Sequence, residues 1–142
     1  MNSELQLEWL KPQALREVAK SILHWSQDNK VFLFFGSMGV GKTALIKELC
    51  LQLHTTDQVT SPSFSVMQVY AGINEVYHWD LYRLHHESEL LDLGWTDYIL
   101  SGRYNFVEWS ERIEQLVPQR YVKLNMYCIN EMHYLHATCI EL

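Results

Sequence analysis

Residues 36–43, Gly36-Ser37-Met38-Gly39-Val40-Gly41-Lys42-Thr43, satisfy the pattern G-x-x-x-x-G-K-S/T at every fixed position. They follow the all-apolar run Val31-Phe32-Leu33-Phe34-Phe35. They precede Thr43 to Leu53, where Leu45, Ile46, Leu49, Cys50 and Leu53 fall on one helical face. A buried strand, a glycine-rich loop and a helix in that order constrain the chain to an α/β arrangement that offers a helix N-terminus to an anion. A glycine-rich turn matching by accident is the weaker account. The fixed positions alone would coincide in roughly 1% of chains this long, before the flanking strand and helix are required.

The chemistry assigns roles within the loop. Gly36, Gly39 and Gly41 let the backbone turn its N–H groups, those of Ser37, Met38 and Val40 among them, against the phosphates of a nucleoside triphosphate. Lys42 is placed to reach the β- and γ-phosphates, and the Thr43 hydroxyl to complete the shell of a Mg²⁺ ion.

With 142 residues and 48% hydrophobic content, the chain is expected to be a single domain over residues 1–142 with a substantial core. Its first residues lack a signal-peptide pattern, and no apolar run approaches the roughly 18 residues of a membrane span, so a cytoplasmic protein without a membrane is expected. The odd count of three cysteines, Cys50, Cys128 and Cys139, suggests free, mostly buried thiols. A zinc site from Cys128, His133, His136 and Cys139 is disfavoured, because His136 and Cys139 point to opposite faces of a strand. A formal charge of −6 without a Lys or Arg cluster argues against strong direct binding to DNA or RNA, so any contact with nucleic acid would be indirect.

Along the chain, Pro12 to Gln27 reads as an amphipathic helix with Leu15, Val18, Ala19, Ile22 and Leu23 on its apolar stripe. Gln58 to Thr60 reads as a short strand entering Ser61-Pro62-Ser63-Phe64. Ser65 to Tyr70 and Val76 to Trp79 read as a hairpin. Leu84 to Leu100 carries a helical pattern broken near Gly94, and Tyr104 to Val107 a strand ending at Glu108. Ser110 to Leu116 reads as a short helix, and Tyr121 to Ile129 with Tyr134 to Glu141 as antiparallel strands. The fold expected is therefore a three-layer α/β, P-loop NTPase-like domain, with a mixed, largely parallel central sheet and antiparallel C-terminal strands.

A triphosphate hydrolase needs a carboxylate at a buried strand's end to hold the metal's water shell, and often a second group to position the attacking water. Asp80 and Glu108 qualify, each at a carboxyl edge where ligands of open α/β sheets bind. Either acid alone reads as an ordinary strand-terminal residue; the phosphate loop changes that weighting. Sequence leaves their separate roles open, as it leaves open whether His78 and Arg83 pair with Asp80, meet phosphate or are satisfied by neighbours. For Trp109, contact with the base and core packing stand level.

The ordered motifs Gly36 to Thr43, Thr60-Ser61-Pro62-Ser63-Phe64, His78-Trp79-Asp80-Leu81-Tyr82-Arg83 and Glu108-Trp109 resemble those of the TsaE (YjeE) family across nearly the whole chain. The resemblance implies a small P-loop ATPase using ATP and Mg²⁺. With TsaB, TsaC and TsaD it would serve the threonylcarbamoyladenosine modification of tRNA beside the anticodon, by resetting the TsaB–TsaD complex through a nucleotide-dependent switch. It extends the nucleotide-binding set over Gly36 to Ala44 and to Thr60, Ser61 and Trp109. It makes Thr43, Asp80 and Glu108 the metal-side groups, with Asp80 and Glu108 catalytic. Two departures are visible: Ser63 stands where the family usually has threonine, and Ala44 where it often has a second threonine.

Three rivals are weighed. A small-molecule P-loop kinase would need a lid bearing arginines, and Arg16, Arg83, Arg103, Arg112 and Arg120 are dispersed. A guanine-specific switch would need an Asn-Lys-x-Asp segment after the loop, which the chain lacks. A nucleotide-dependent adaptor would bind without needing hydrolysis.

Overall fold

Apolar residues at alternate positions of Glu4–Trp9 form β1, a strand to which the sequence reading assigns no element. In the computed structural model, which describes residues 3–56 and 66–142, a 3-10 turn at Pro12–Ala14 follows and leads into α1 (Leu15–Ser26). The predicted helix from Pro12 is thus a 3-10 turn in its first residues. Next come β2 (Val31–Phe35), α2 (Lys42–Gln52), β3 (Met67–Tyr70) and β4 (Val76–Asp80). The expected strand at Gln58 to Thr60 and the turn through Phe64 lie outside the described residues.

The pattern from Leu84 resolves into α3 (Glu87–Asp92) and α4 (Trp95–Ile99), separated by Gly94 at φ 90°. After β5 (Tyr104–Glu108), the predicted helix at 110–116 is instead a pair of 3-10 turns, Ser110–Arg112 and Glu114–Leu116. The chain ends in β6 (Tyr121–Ile129) and β7 (Met132–Ile140). These two strands join through Asn130 and Glu131, both at positive φ, as the right-handed twist of a tight hairpin demands.

The seven strands among the described residues form one sheet in the order β1-β7-β6-β2-β5-β4-β3. β6, β2, β5 and β4 run parallel, while β7 pairs antiparallel with β6 and β1, and β3 pairs antiparallel with β4. The mixed sheet with a parallel centre and an antiparallel C-terminal pair follows the sequence expectation. Phe32 and Phe34 pack with Val18, Ile22, Leu45 and Leu49 of α1 and α2. Val31 and Leu33 face the opposite side, with Trp79, Leu90 and Trp95. That two-sided burial is why β2 is apolar at every position. It also fixes the phosphate loop at the carboxyl end of a central, buried strand.

The three cysteines are free, as expected, but they are less buried than expected. Cys50 lies in the core, Cys139 is partly buried and Cys128 is exposed, because it sits near the hairpin tip where β6 runs past its covering layer. Among the described residues, no helix is long and apolar enough to cross a membrane.

Candidate nucleotide-binding site

The phosphate loop leaves β2 at Gly36, whose missing side chain has a steric reason. A Cβ there would stand 2.7 Å from the Met126 carbonyl oxygen and 2.9 Å from Val40 Cγ1. Gly41 caps α2 in a left-handed conformation at φ 107°, which sets the turn from loop to helix. The first bond of the helix runs from Leu45 N–H to the Gly41 carbonyl (3.0 Å). The amides of Lys42, Thr43 and Ala44 therefore project from the helix start without intrahelical acceptors, a ready anion site. Val40 is buried in the core and anchors the loop, whereas Ser37, Met38 and Gly39 form its exposed crest.

Lys42 is 5% exposed. Its Nζ donates to the Gly36 carbonyl at 2.6 Å and lies 3.5 Å from the centre of the Trp109 indole. Among the described residues no carboxylate is within ion-pair distance of it. Burial holds the ammonium below its usual range, opposed by the fields of Glu108, Glu111 and Asp80. Among the described residues this desolvated cation is held by a carbonyl and a π face, the state in which a polyanion is a strong partner.

The strand-end acids stand side by side, Asp80 in register with Glu108 across β4 and β5. Glu108 is buried, and its Oε1 accepts the Thr43 hydroxyl at 3.1 Å. Its Oε2 meets His78 Nε2 at 2.7 Å. Asp80 is half-buried, and its Oδ1 accepts the Tyr82 N–H at 3.1 Å. The structure thus brings Lys42, Thr43, Asp80, Glu108 and Trp109 to one end of the sheet. Thr60 and Ser61 lie outside the described residues. The hydroxyl of Thr43 and the carboxylates of Glu108 and Asp80 are oxygen donors of the kind Mg²⁺ takes. Thr43, Glu108 and Asp80 are the side chains that would hold such an ion.

Of the residues whose roles sequence left open, His78 pairs with Glu108 and with the Tyr70 hydroxyl. Arg83 is exposed. Trp109 faces Lys42 and the Tyr82 ring, its backbone left-handed at φ 61°, ψ 52°. Trp79 belongs to the core, its indole N–H on Asn105 Oδ1. Sequence reading missed two contributors. Glu111 adds negative potential at Lys42 from the 3-10 turn after Trp109, and Tyr70 braces His78. For Tyr70 the signal was its place on the hairpin strand beside the His-Trp-Asp segment.

The family model described as threonylcarbamoyl adenosine biosynthesis protein TsaE matches residues 10–134. The tRNA threonylcarbamoyladenosine biosynthesis protein TsaE of Bacillus subtilis (strain 168) is 33% identical over 122 residues, spanning 84% of this chain and 76% of its own. That of Treponema pallidum (strain Nichols) is 30% identical over 100 residues, spanning 70% of this chain and 74% of its own. The crystal structure of YdiB from Bacillus subtilis superposes with a TM-score of 0.74 at 23% identity, covering 99% of this chain and 88% of the other. That last likeness speaks to the fold.

Proposed function

The chain belongs to the TsaE family of threonylcarbamoyladenosine biosynthesis proteins, and from that premise we propose that it binds ATP with Mg²⁺ and hydrolyses it slowly to serve tRNA modification. It acts in the cytoplasm as one unit spanning residues 1–142, on the TsaB–TsaD complex, and meets tRNA only through its partners.

The observation that carries this reading is the contact between Thr43 at the head of α2 and Glu108 at the end of β5. It joins the phosphate loop to a buried carboxylate, as metal-assisted phosphoryl transfer to water requires. Lys42, Thr43 and the amides of Gly36 to Ala44 bind the phosphates. Asp80 and Glu108 would hold the metal's shell and the attacking water, and Trp109, whose indole lies over the Lys42 ammonium, would lie close to the nucleotide. Bound Mg²⁺ supplies charge neutralisation at the transferring phosphoryl group. The segment containing Thr60 and Ser61 acts as the γ-phosphate sensor. Two nucleotide-dependent states of the surface give the partner complex a cycle of association and release.

A reconstituted assay with tRNA, threonine, bicarbonate, ATP and the TsaB, TsaC and TsaD proteins, run with and without this chain, tests the proposal. Modification should continue over many cycles only when the chain is present, with free phosphate released in step. Equal multiple-turnover modification without it would refute the reading, as would phosphate transferred to a metabolite instead of water.

A further inference from the structure

His78 is fully buried on β4, on the face that packs against α2, where its neighbours Val76 and Phe106 are apolar. A polar ring at such a position needs partners, and the sheet supplies them on both sides. Gln68 pairs with His78 and Tyr70 with Val76 across β3 and β4, while Asp80 pairs with Glu108 across β4 and β5. Tyr70 and Glu108 therefore stand diagonal to His78 on the same face. The Tyr70 hydroxyl is 2.9 Å from His78 Nδ1 and 2.9 Å from Gln68 Oε1, and Nε2 is 2.7 Å from Glu108 Oε2.

The proton count orients the chain. A carboxylate only accepts, so Nε2 carries the proton that meets Glu108 whichever way the phenol and amide are turned. A ring gripped at Nδ1 by Tyr70 cannot rotate and withdraw Nε2.

Glu108 has a long, rotamer-rich side chain and is held at both oxygens by different elements, Oε1 by Thr43 and Oε2 by His78. Thr43 carries the hydroxyl assigned to the metal, whose lone pairs such an ion would engage, so of the two partners of Glu108 it is the one that nucleotide loading would disturb. His78 is the one that Glu108 keeps. We infer that His78, braced by Tyr70, is the positioning residue that fixes the Glu108 carboxylate and leaves Oε1 as the oxygen facing the attacking water. The inference rests on the reading of Glu108 as the hydrolytic acid. It adds what aims that acid, and which of its oxygens works.

Single-turnover ATP hydrolysis by the full chain, with ATP affinity measured beside it, separates this role from plain core packing. The proteins compared are wild type, His78→Leu, His78→Gln, Tyr70→Phe, Glu108→Gln and the double variant His78→Leu/Glu108→Gln. His78→Leu is expected to slow hydrolysis on the order of 10- to 100-fold at nearly unchanged ATP affinity. His78→Gln, which keeps an N–H donor, should recover part of the rate. In the Glu108→Gln background, His78→Leu should cost nothing more, because the acid it aims is gone. Tyr70→Phe removes only a hydroxyl and should give a smaller loss. Should His78→Leu not fold, intermediate rates for His78→Gln and Tyr70→Phe support the role, and wild-type rates for both overturn it.

A wild-type rate in folded His78→Leu, an equal loss in both backgrounds, or a loss that tracks weakened ATP binding would also overturn it. Glu108-dependent hydrolysis with an indifferent His78 sinks the positioning role alone. Wild-type protein whose hydrolysis does not depend on Glu108 sinks the functional reading and this inference together.

Discussion

Glu108 Oε1 and Thr43 Oγ1 are hydrogen-bonded at 3.1 Å, so the acid at the end of β5 is already in contact with the hydroxyl at the head of α2. Converting that carboxylate to an amide keeps its volume and removes its charge and basicity. Glu108→Gln should reduce ATP hydrolysis on the order of 10²- to 10⁴-fold, the range of a lost general base. It should leave ATP binding, read by calorimetry, close to wild type. Binding that disappears with hydrolysis would place Glu108 in nucleotide affinity instead.

Lys42 has no carboxylate partner among the described residues, and its ammonium is held by the Gly36 carbonyl and the Trp109 face. Lys42→Met removes a charge-assisted bond to phosphate worth about 1.5–3 kcal/mol, so ATP affinity should fall roughly 10- to 100-fold or more. The melting temperature of the nucleotide-free protein should stay level or rise, since an unpaired buried charge is replaced by an apolar chain. A clear fall in melting temperature would contradict this account of Lys42.

The same burial gives nucleotide binding a pH dependence. Phosphate favours the ammonium, so Lys42 keeps its proton to higher pH with ATP bound than without it. Affinity is full below the free-state pKa, which lies under the usual 10.5, and declines as pH rises through that value towards the bound-state one. Calorimetry across the alkaline range should show weakening affinity with net proton uptake on binding. Proton release would reverse the assignment.

Trp109 lies over the Lys42 ammonium at 3.5 Å, while Trp79 and Trp95 are fully buried away from the loop. Adding ATP should move the cation and change the indole emission. Trp109→Phe should abolish most of that change while nucleotide still binds. A signal that survives the substitution would locate the reporter elsewhere.

Burial pushes the Cys50 thiol up to about 12 from 9.0. Unfolded chain loses that proton first, so the contribution to stability is complete below about pH 9, the unfolded value, and is lost as pH rises towards the folded one. Denaturant titrations should show stability falling above pH ~9. In the native protein Cys128 should react quickly with a thiol reagent and Cys50 only after unfolding, as peptide mapping would show.

The legible parts of this fold were those with long or repeated local signals. Leu45 to Leu53 gave the helix after the loop by periodicity, and the apolar β2 gave a strand covered on both sides. The break at Gly94 was visible because a left-handed position there suits only the smallest residue. Glu4 to Trp9 was not read, because a short alternating strand acquires meaning only from its partner β7. Ser110 to Leu116 was read as a helix because 3-10 and helical spacing look alike over so few residues. Lys42, Thr43, Asp80 and Glu108 stood out by motif and by strand ends. The tie from Glu108 through His78 to Tyr70 crosses strands distant in the chain, and only the register brings them together.

The left-handed backbone at Trp109 gives the site a mechanical character. An aromatic residue settles there only when its surroundings compel it. Here the ammonium beneath the indole, the Tyr82 ring beside it and the Ser110 hydroxyl on the Val107 carbonyl all help to compel it. The indole is a cocked latch: once an incoming ligand draws the cation away, one of its restraints is gone and the peptide is freer to relax.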